Sequence, residues 1–219
     1  MKLKALFVMA AAMVLLFNPV SSKADTFTFF NITNNGSVDV ANQLSVDVTS
    51  AEPNVVSFKF TNIGSTSSFI GQIYFDDNDV FSALGGIDVS GAGVAFSAPA
   101  TPANLPSGAT LTPDFAATFS AGADSPASQN GVNNYPGAIL DQAEWVTLTF
   151  DGASLADVLA ALNKGDLRIG LHVQGIGQTG NSDSFVNNPN NPVPEPATML
   201  LFGSGLLGMA GVVRRRFKK

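Results

Sequence analysis

Short runs rich in valine, isoleucine, phenylalanine and threonine recur along this 219-residue chain, each alternating apolar with polar, and that period of two commits its middle to β structure. Leu44, Val46 and Val48 point one way while Ser45, Asp47 and Thr49 point the other; Val56, Phe58 and Phe60 stand in the same relation to Ser57, Lys59 and Thr61. Further runs cover 69–75, 93–97, 144–150 and 167–176, with Val146, Leu148 and Phe150, and Ile169, Leu171 and Val173, on the apolar sides. Strands that each bury one face predict an all-β domain, an antiparallel β-sandwich of about 7–9 strands.

Three stretches break the period. Ser154 offers an N-cap oxygen, Asp157 completes a capping-box-like pair, and Gly165 suits a left-handed C-terminal stop, so 155–163 reads as one short helix with Leu155, Val158, Leu159 and Leu162 on its buried face. Between 97 and 137 the chain turns to Ala, Pro, Ser, Gly and Asn. Phe115 and Phe119 are its two anchors, and the expectation is a mobile, partly ordered loop pinned by those rings, or a strand concealed within it. An Asn-, Gly- and Ser-rich run begins at Gly177, where Phe185 and Val186 offer at most one edge pairing. The domain is set at 25–187 and a flexible stalk at 188–193. No fixed-period repeat is present, which excludes a propeller or solenoid.

Both ends are of another kind. Met1 to Lys4 is a short basic segment, 5–17 an apolar run, and Ser22-Lys23-Ala24 places small residues before a cut between Ala24 and Asp25, so 1–24 reads as a signal peptide whose apolar run is helical. At the other end Pro192, Pro194 and Pro196 stiffen the approach to an uncharged run, 197–213, which is followed by Arg214, Arg215, Arg216, Phe217, Lys218 and Lys219. Seventeen helical residues at 1.5 Å each span roughly 25 Å, just enough to cross a thinned hydrocarbon core as a transmembrane helix. The basic end belongs in the cytoplasm beside inner-membrane lipid, and the domain outside. Ser204 and Gly208 form one small-xxx-small pair for a second helix, and Gly203, Gly205 and Gly211 further weaken the span.

The order, spacing and position of these parts, with the tail at 194–219, resemble the PEP-CTERM sorting signal. The resemblance is confined to the tail. It implies recognition through Pro194, Glu195 and Pro196 by an exosortase, a membrane-embedded cysteine transpeptidase-like enzyme of Gram-negative bacteria that make extracellular polysaccharide. It also implies a protein first held at the membrane and then displayed at the surface or released into a biofilm matrix.

With the two ends set aside, Lys59, Lys164 and Arg168 face sixteen acids, a net charge of −13 for the domain. Such a field repels phosphate backbones and argues against a nucleic-acid partner. The absence of cysteine excludes disulfides, thiol nucleophiles and zinc–thiolate sites. The single histidine, His172, falls on the polar side of its strand with no nucleophile motif nearby, so it reads as structural and the domain as non-catalytic. Asp76, Asp77 and Asp79, with Asn78 between, are the one metal candidate, hard oxygen ligands that suit calcium, although the EF-hand spacing is missing and an Asx turn accounts for the same residues. Asp39, Asp47, Asp88 and Asp183 would complete a site only if the fold gathers them. Asp141 and Glu144 beside Trp145 are the one carboxylate pair for glycan hydrolysis. Tyr74, Tyr135 and Trp145 are the aromatics able to stack on extracellular polysaccharide, with core or rim packing as their plainer role. Asn31-Ile32-Thr33 and Asn35-Gly36-Ser37 match glycosylation sequons, but Asn35-Gly36 is read as a hairpin turn.

Overall fold

A computed structural model describes residues 24–36, 38–91, 93–134 and 143–189. Eleven strands carry the fold: β1 (Asp25–Asn31), β2 (Leu44–Glu52), β3 (Val55–Asn62), β4 (Phe69–Asp76), β5 (Ala83–Val89), β6 (Phe96–Ser97), β7 (Phe119–Ala123), β8 (Val132–Asn133), β9 (Trp145–Asp151), β10 (Arg168–Ile176) and β11 (Asn181–Asn187). Two α-helices join them, α1 (Ala127–Asn130) and α2 (Leu155–Lys164). The strands run β5–β9–β3–β2–β1–β11–β10–β4–β7–β6, with β8 beside β4, and every pairing is antiparallel. This is more than the seven to nine strands expected, and the two layers are the halves of one nearly closed sheet, whose ends β5 and β6 touch.

The turn from one half to the other is made within β1. Its first residues pair with β2 (Thr26 opposite Asp47, Thr28 opposite Ser45), and its last with β11 (Phe29 opposite Asn187, Asn31 opposite Phe185). Phe27 and Phe29 both face the core. There the rings of the two halves interlock: Phe58 of β3 meets Phe75 of β4 edge-on at 5.1 Å, and Phe150 of β9 lies 5.4 Å from Phe119 of β7. Such perpendicular contacts add about 0.5–1.5 kcal/mol per pair to the area the rings bury. All the expected inward residues of β2, β3, β9 and β10 lie in this core.

Helix α2 runs as expected from its local signals. Asp157 N donates to Ser154 Oγ at 3.3 Å, and Gly165 stops the helix at φ 81°. Val158, Ala161 and Leu162 are buried, and the helix carries the chain from β9 to β10 against β2 and β3.

Three expectations change. The run after Gly177 contains β11, an interior strand between β1 and β10 with Phe185 fully buried, where an edge pairing in a flexible stretch was expected. Asn35-Gly36 is not a hairpin turn, because the second half of β1 is taken by β11; Asn35 N instead donates to Asp183 Oδ1 at 2.7 Å. The 97–137 insertion conceals β7 and is ordered along 98–118. Phe119 points into the main core, while Phe115 joins Leu105, Ala100, Tyr74 and Val186 in a second apolar cluster on the outer side of β4, β10 and β11.

Among the described residues no helix is long and apolar enough to cross a membrane. The signal segment up to Lys23, Tyr135, Asp141, the stalk beyond Pro189 and the whole tail lie outside the described residues.

Candidate functional site

The acidic turn after β4 is built from within. Arg168, first residue of β10, stands opposite Asp76 in the register and forms an ion pair with it. The same guanidinium donates to the carbonyls of Pro113 at 2.7 Å and Asp114 at 2.6 Å, and lies 5.3 Å from the centre of the Phe115 ring. Asp77 is buried: Thr118 Oγ1 donates to one carboxylate oxygen and Phe81 N to the other at 2.9 Å. Asn78 and Asp79 turn the chain at φ 45° and 63°, a conformation Asn and Asp tolerate better than most residues. The carboxylates of Asp76 and Asp77 thus point at protein donors, and among the described residues no three acidic or histidine side chains are gathered to hold a metal. Asp39 caps Ala41 N, Asp47 accepts from Thr26, Asp88 accepts from Val89 N, and Asp183 binds the 33–35 loop, so the fold disperses them.

Tyr74 is fully buried under the 98–118 segment, which removes it as a sugar platform. Its hydroxyl donates to Pro102 O at 3.0 Å, and burial raises its pKa from 10.0 to about 12. Gly170 makes room for the segment: a Cβ there would lie 2.8 Å from Leu105 Cδ2 and 3.0 Å from Phe115 Cζ. His172 sits on the same side of β10, half-buried, with Nδ1 at 2.6 Å from Gln72 Oε1, which also accepts from Gln174 Nε2 at 3.2 Å. Burial lowers the His172 pKa, and the charge of Asp183 partly opposes that shift. Gln72 and Gln174 hold this ring, and the register sets Ser184 opposite it on β11.

Glu144 is also buried, and its Oε2 accepts from the backbone N of Asn133 at 2.7 Å and from Asn133 Nδ2 at 3.1 Å, which ties β8 to the start of β9. Trp145 remains half-exposed on the outer face of the β2–β3–β9 half, with Lys59 Nζ 4.8 Å from its ring centre. The register aligns this face in cross-strand rungs: Thr28, Ser45, Thr61 and Trp145 in one, Thr26, Asp47, Lys59, Thr147 and Asp88 in the next. Ser45 and Thr61 bond at 2.8 Å along the first.

A site that sequence reasoning missed lies at the end of the domain where the chain leaves it. Two adjoining cavities, of about 180 and 280 Å³, share Gly165 and Arg168 as a common floor. Phe30, Leu111, Val186 and Pro189 line the first, and Asp76, Asp114 and Asp166 line the second. Phe30 is 38% exposed. Its only sequence signal was a second phenylalanine beside Phe29 in a strand that needs just one of the pair inside.

An exported β domain followed by an addressing tail is the class these parts define. Residues 192–216 match the family model of the PEP-CTERM protein-sorting motif, so the chain carries that motif at its C-terminus, and the motif implies export, membrane-associated sorting and processing by an exosortase. Comparison with curated proteins and with solved structures finds no match. Ala24 is exposed and Asp25 opens β1, so the expected signal cut falls at the first residue of the sheet.

Proposed function

We propose that this is a surface or extracellular-matrix protein whose β domain is structural or adhesive and non-catalytic, delivered by its signal peptide, held through 197–213 and handed to an exosortase. The observation that carries the reading is the match of 192–216 to the sorting motif, directly behind a folded domain that ends at Asn187. The basic residues Arg214 to Lys219 anchor the cytoplasmic side in this reading. The acids at 76–79 serve it as turn formers, with calcium unnecessary. Glu195→Ala beside wild type, followed by fractionation and blotting of the host, tests it: the variant is expected to accumulate unprocessed in the membrane fraction, and identical processing and location would refute the sorting role.

A second reading, a polysaccharide-binding face, is favoured by the half-exposed Trp145 at the end of a hydroxyl rung. An indole face suits the C–H side of a sugar ring, and serine and threonine hydroxyls suit its edges. Retention of the protein by the host's own polysaccharide, lost in Trp145→Ala, would support it; equal retention of both would sink it.

A further inference from the structure

The pairing register places both ends of the domain together. Asp25 begins β1 opposite Val48, and Asn188 N donates to Thr28 O at 2.9 Å, so the chain leaves β11 alongside the strand by which it entered. Arg168 and Asp76, at the start of β10 and the end of β4, lie at this same end. The paired cavities floored by Arg168 are therefore at the exit, and Pro189 is itself part of their wall.

Chain length then constrains what can stand beside them. Pro189 and Pro194 are five residues apart, and a fully extended chain covers at most about 3.6 Å per residue, so the motif starts within roughly 18 Å of the cavity wall. A protein that grips Pro194 to Pro196 must approach this end of the domain at close quarters. The surface it meets is neither blank nor neutral. Phe30 stands exposed on one side, and on the other Asp114 and Asp166 are exposed while Asp76 is already paired with Arg168. The guanidinium also holds two backbone carbonyls, which leaves the acidic side with a net negative charge.

We propose that this groove is a docking surface for the outward-facing part of the sorting enzyme, one that presents an apolar side chain to Phe30 flanked by a lysine or arginine for Asp114 and Asp166. The inference rests on the sorting role above. Contact outside the motif positions the tail, so the enzyme reads the folded domain as well as the three-residue signal, and charge complementarity speeds the encounter.

The test uses the full chain in its exosortase-bearing host, with pulse-chase measurement of tail processing. Phe30→Ser and the double variant Asp114→Lys/Asp166→Lys are expected to slow processing about fivefold or more, the loss typical of removing an interface anchor. Asp88→Lys, on β5 at one end of the strand order and outside the lining of both cavities, is the control and should process at the wild-type rate. Twelve Gly/Ser residues inserted after Pro189 free the motif from the groove, and in that background the groove variants should process like their lengthened parent. Wild-type rates for the groove variants at native spacing would overturn the proposal. So would equal slowing in the lengthened chain, which would indicate a general defect, or loss of crosslinking between copies with processing unchanged, which would assign the groove to a second copy. Unaltered processing of Glu195→Ala would instead remove the sorting role itself, a distinct result.

Discussion

Gly170 decides whether residues 98–118 lie on the sheet, and its replacement can be worked through in numbers. The Cβ of Gly170→Ala would meet Leu105 Cδ2 at 2.8 Å, Phe115 Cζ at 3.0 Å and Leu105 Cδ1 at 3.2 Å. Overpacking of that kind costs about 1–3 kcal/mol. Alanine returns roughly 0.5–1 kcal/mol over glycine within a strand. The net loss for Gly170→Ala is therefore about 0–2.5 kcal/mol, centred near 1. Leu105→Ala, at a site 4% exposed but in a small satellite cluster, should cost about 2 kcal/mol, near the low end for such truncations. In the double variant both Leu105 contacts are gone and only Phe115 Cζ at 3.0 Å still presses on the new methyl, so most of the collision is relieved. The double variant should then be about as stable as Leu105→Ala alone, an interaction of about 1 kcal/mol, beyond the ~0.5 kcal/mol within which independent sites add. Urea unfolding of residues 25–189, followed by fluorescence of the single tryptophan, Trp145, reads it from a site on the other half of the sheet. Strict additivity would refute the packing of 98–118 against β10.

Tyr74→Phe should lower stability by about 1 kcal/mol at neutral pH through loss of the bond to Pro102. Because burial raises the Tyr74 pKa from 10.0 to about 12, its neutral form stabilises the fold below pH 10 and that contribution is lost as pH rises through about 12; a two-unit shift is worth about 2.7 kcal/mol, more than the lost bond, so the two stability curves should cross between pH 10 and 12, and parallel curves would contradict it. His172, whose pKa burial lowers, contributes stability above its ordinary pKa of 6.5 that is lost as pH falls below it, so His172→Gln should flatten the acid side of the stability profile, as chemical denaturation from pH 7 to 5 can check. Asp77→Ala leaves Phe81 N without its buried acceptor and should cost about 1–3 kcal/mol by urea unfolding. Millimolar calcium or chelator should leave the melting temperature of wild type unchanged, and a calcium-dependent rise would restore the acidic turn as a metal site.

What the sequence disclosed is what neighbouring residues decide. Ser154, Asp157 and Gly165 specify α2 within a dozen residues, and strands with one wet face announce themselves by alternation, as β2, β3 and β9 do. β4 is buried on both faces from Ile70 to Phe75, so Tyr74 gave no sign that its side of the strand was covered. β11 hid because Asn181, Ser182, Asp183 and Ser184 look like a linker; Asp183 Oδ1 is accepting from Thr33 and Asn35, about 150 residues away in sequence. The order of 98–118 likewise depends on remote partners, Arg168, Gly170 and Tyr74, that its own Pro- and Ala-rich composition cannot express. The acids at 76–79 were visible as acids, but Thr118 and Arg168 decide what they bind. The tail was readable outright because its signal is contiguous.

The first and last strands of the described domain lie side by side in the middle of the sheet, and this has a consequence for secretion. A chain delivered N-terminus first offers β1 at once, yet the strand that joins β1 to β10 is complete only when Asn187 has emerged. Until then, the two halves lack their seam, so in the export proposed above the domain would close only after its last strand is through. Closure between strands so distant in sequence is intrinsically slow. The sorting motif begins only five residues past Asn187, so in that export the last strand and the address would emerge together.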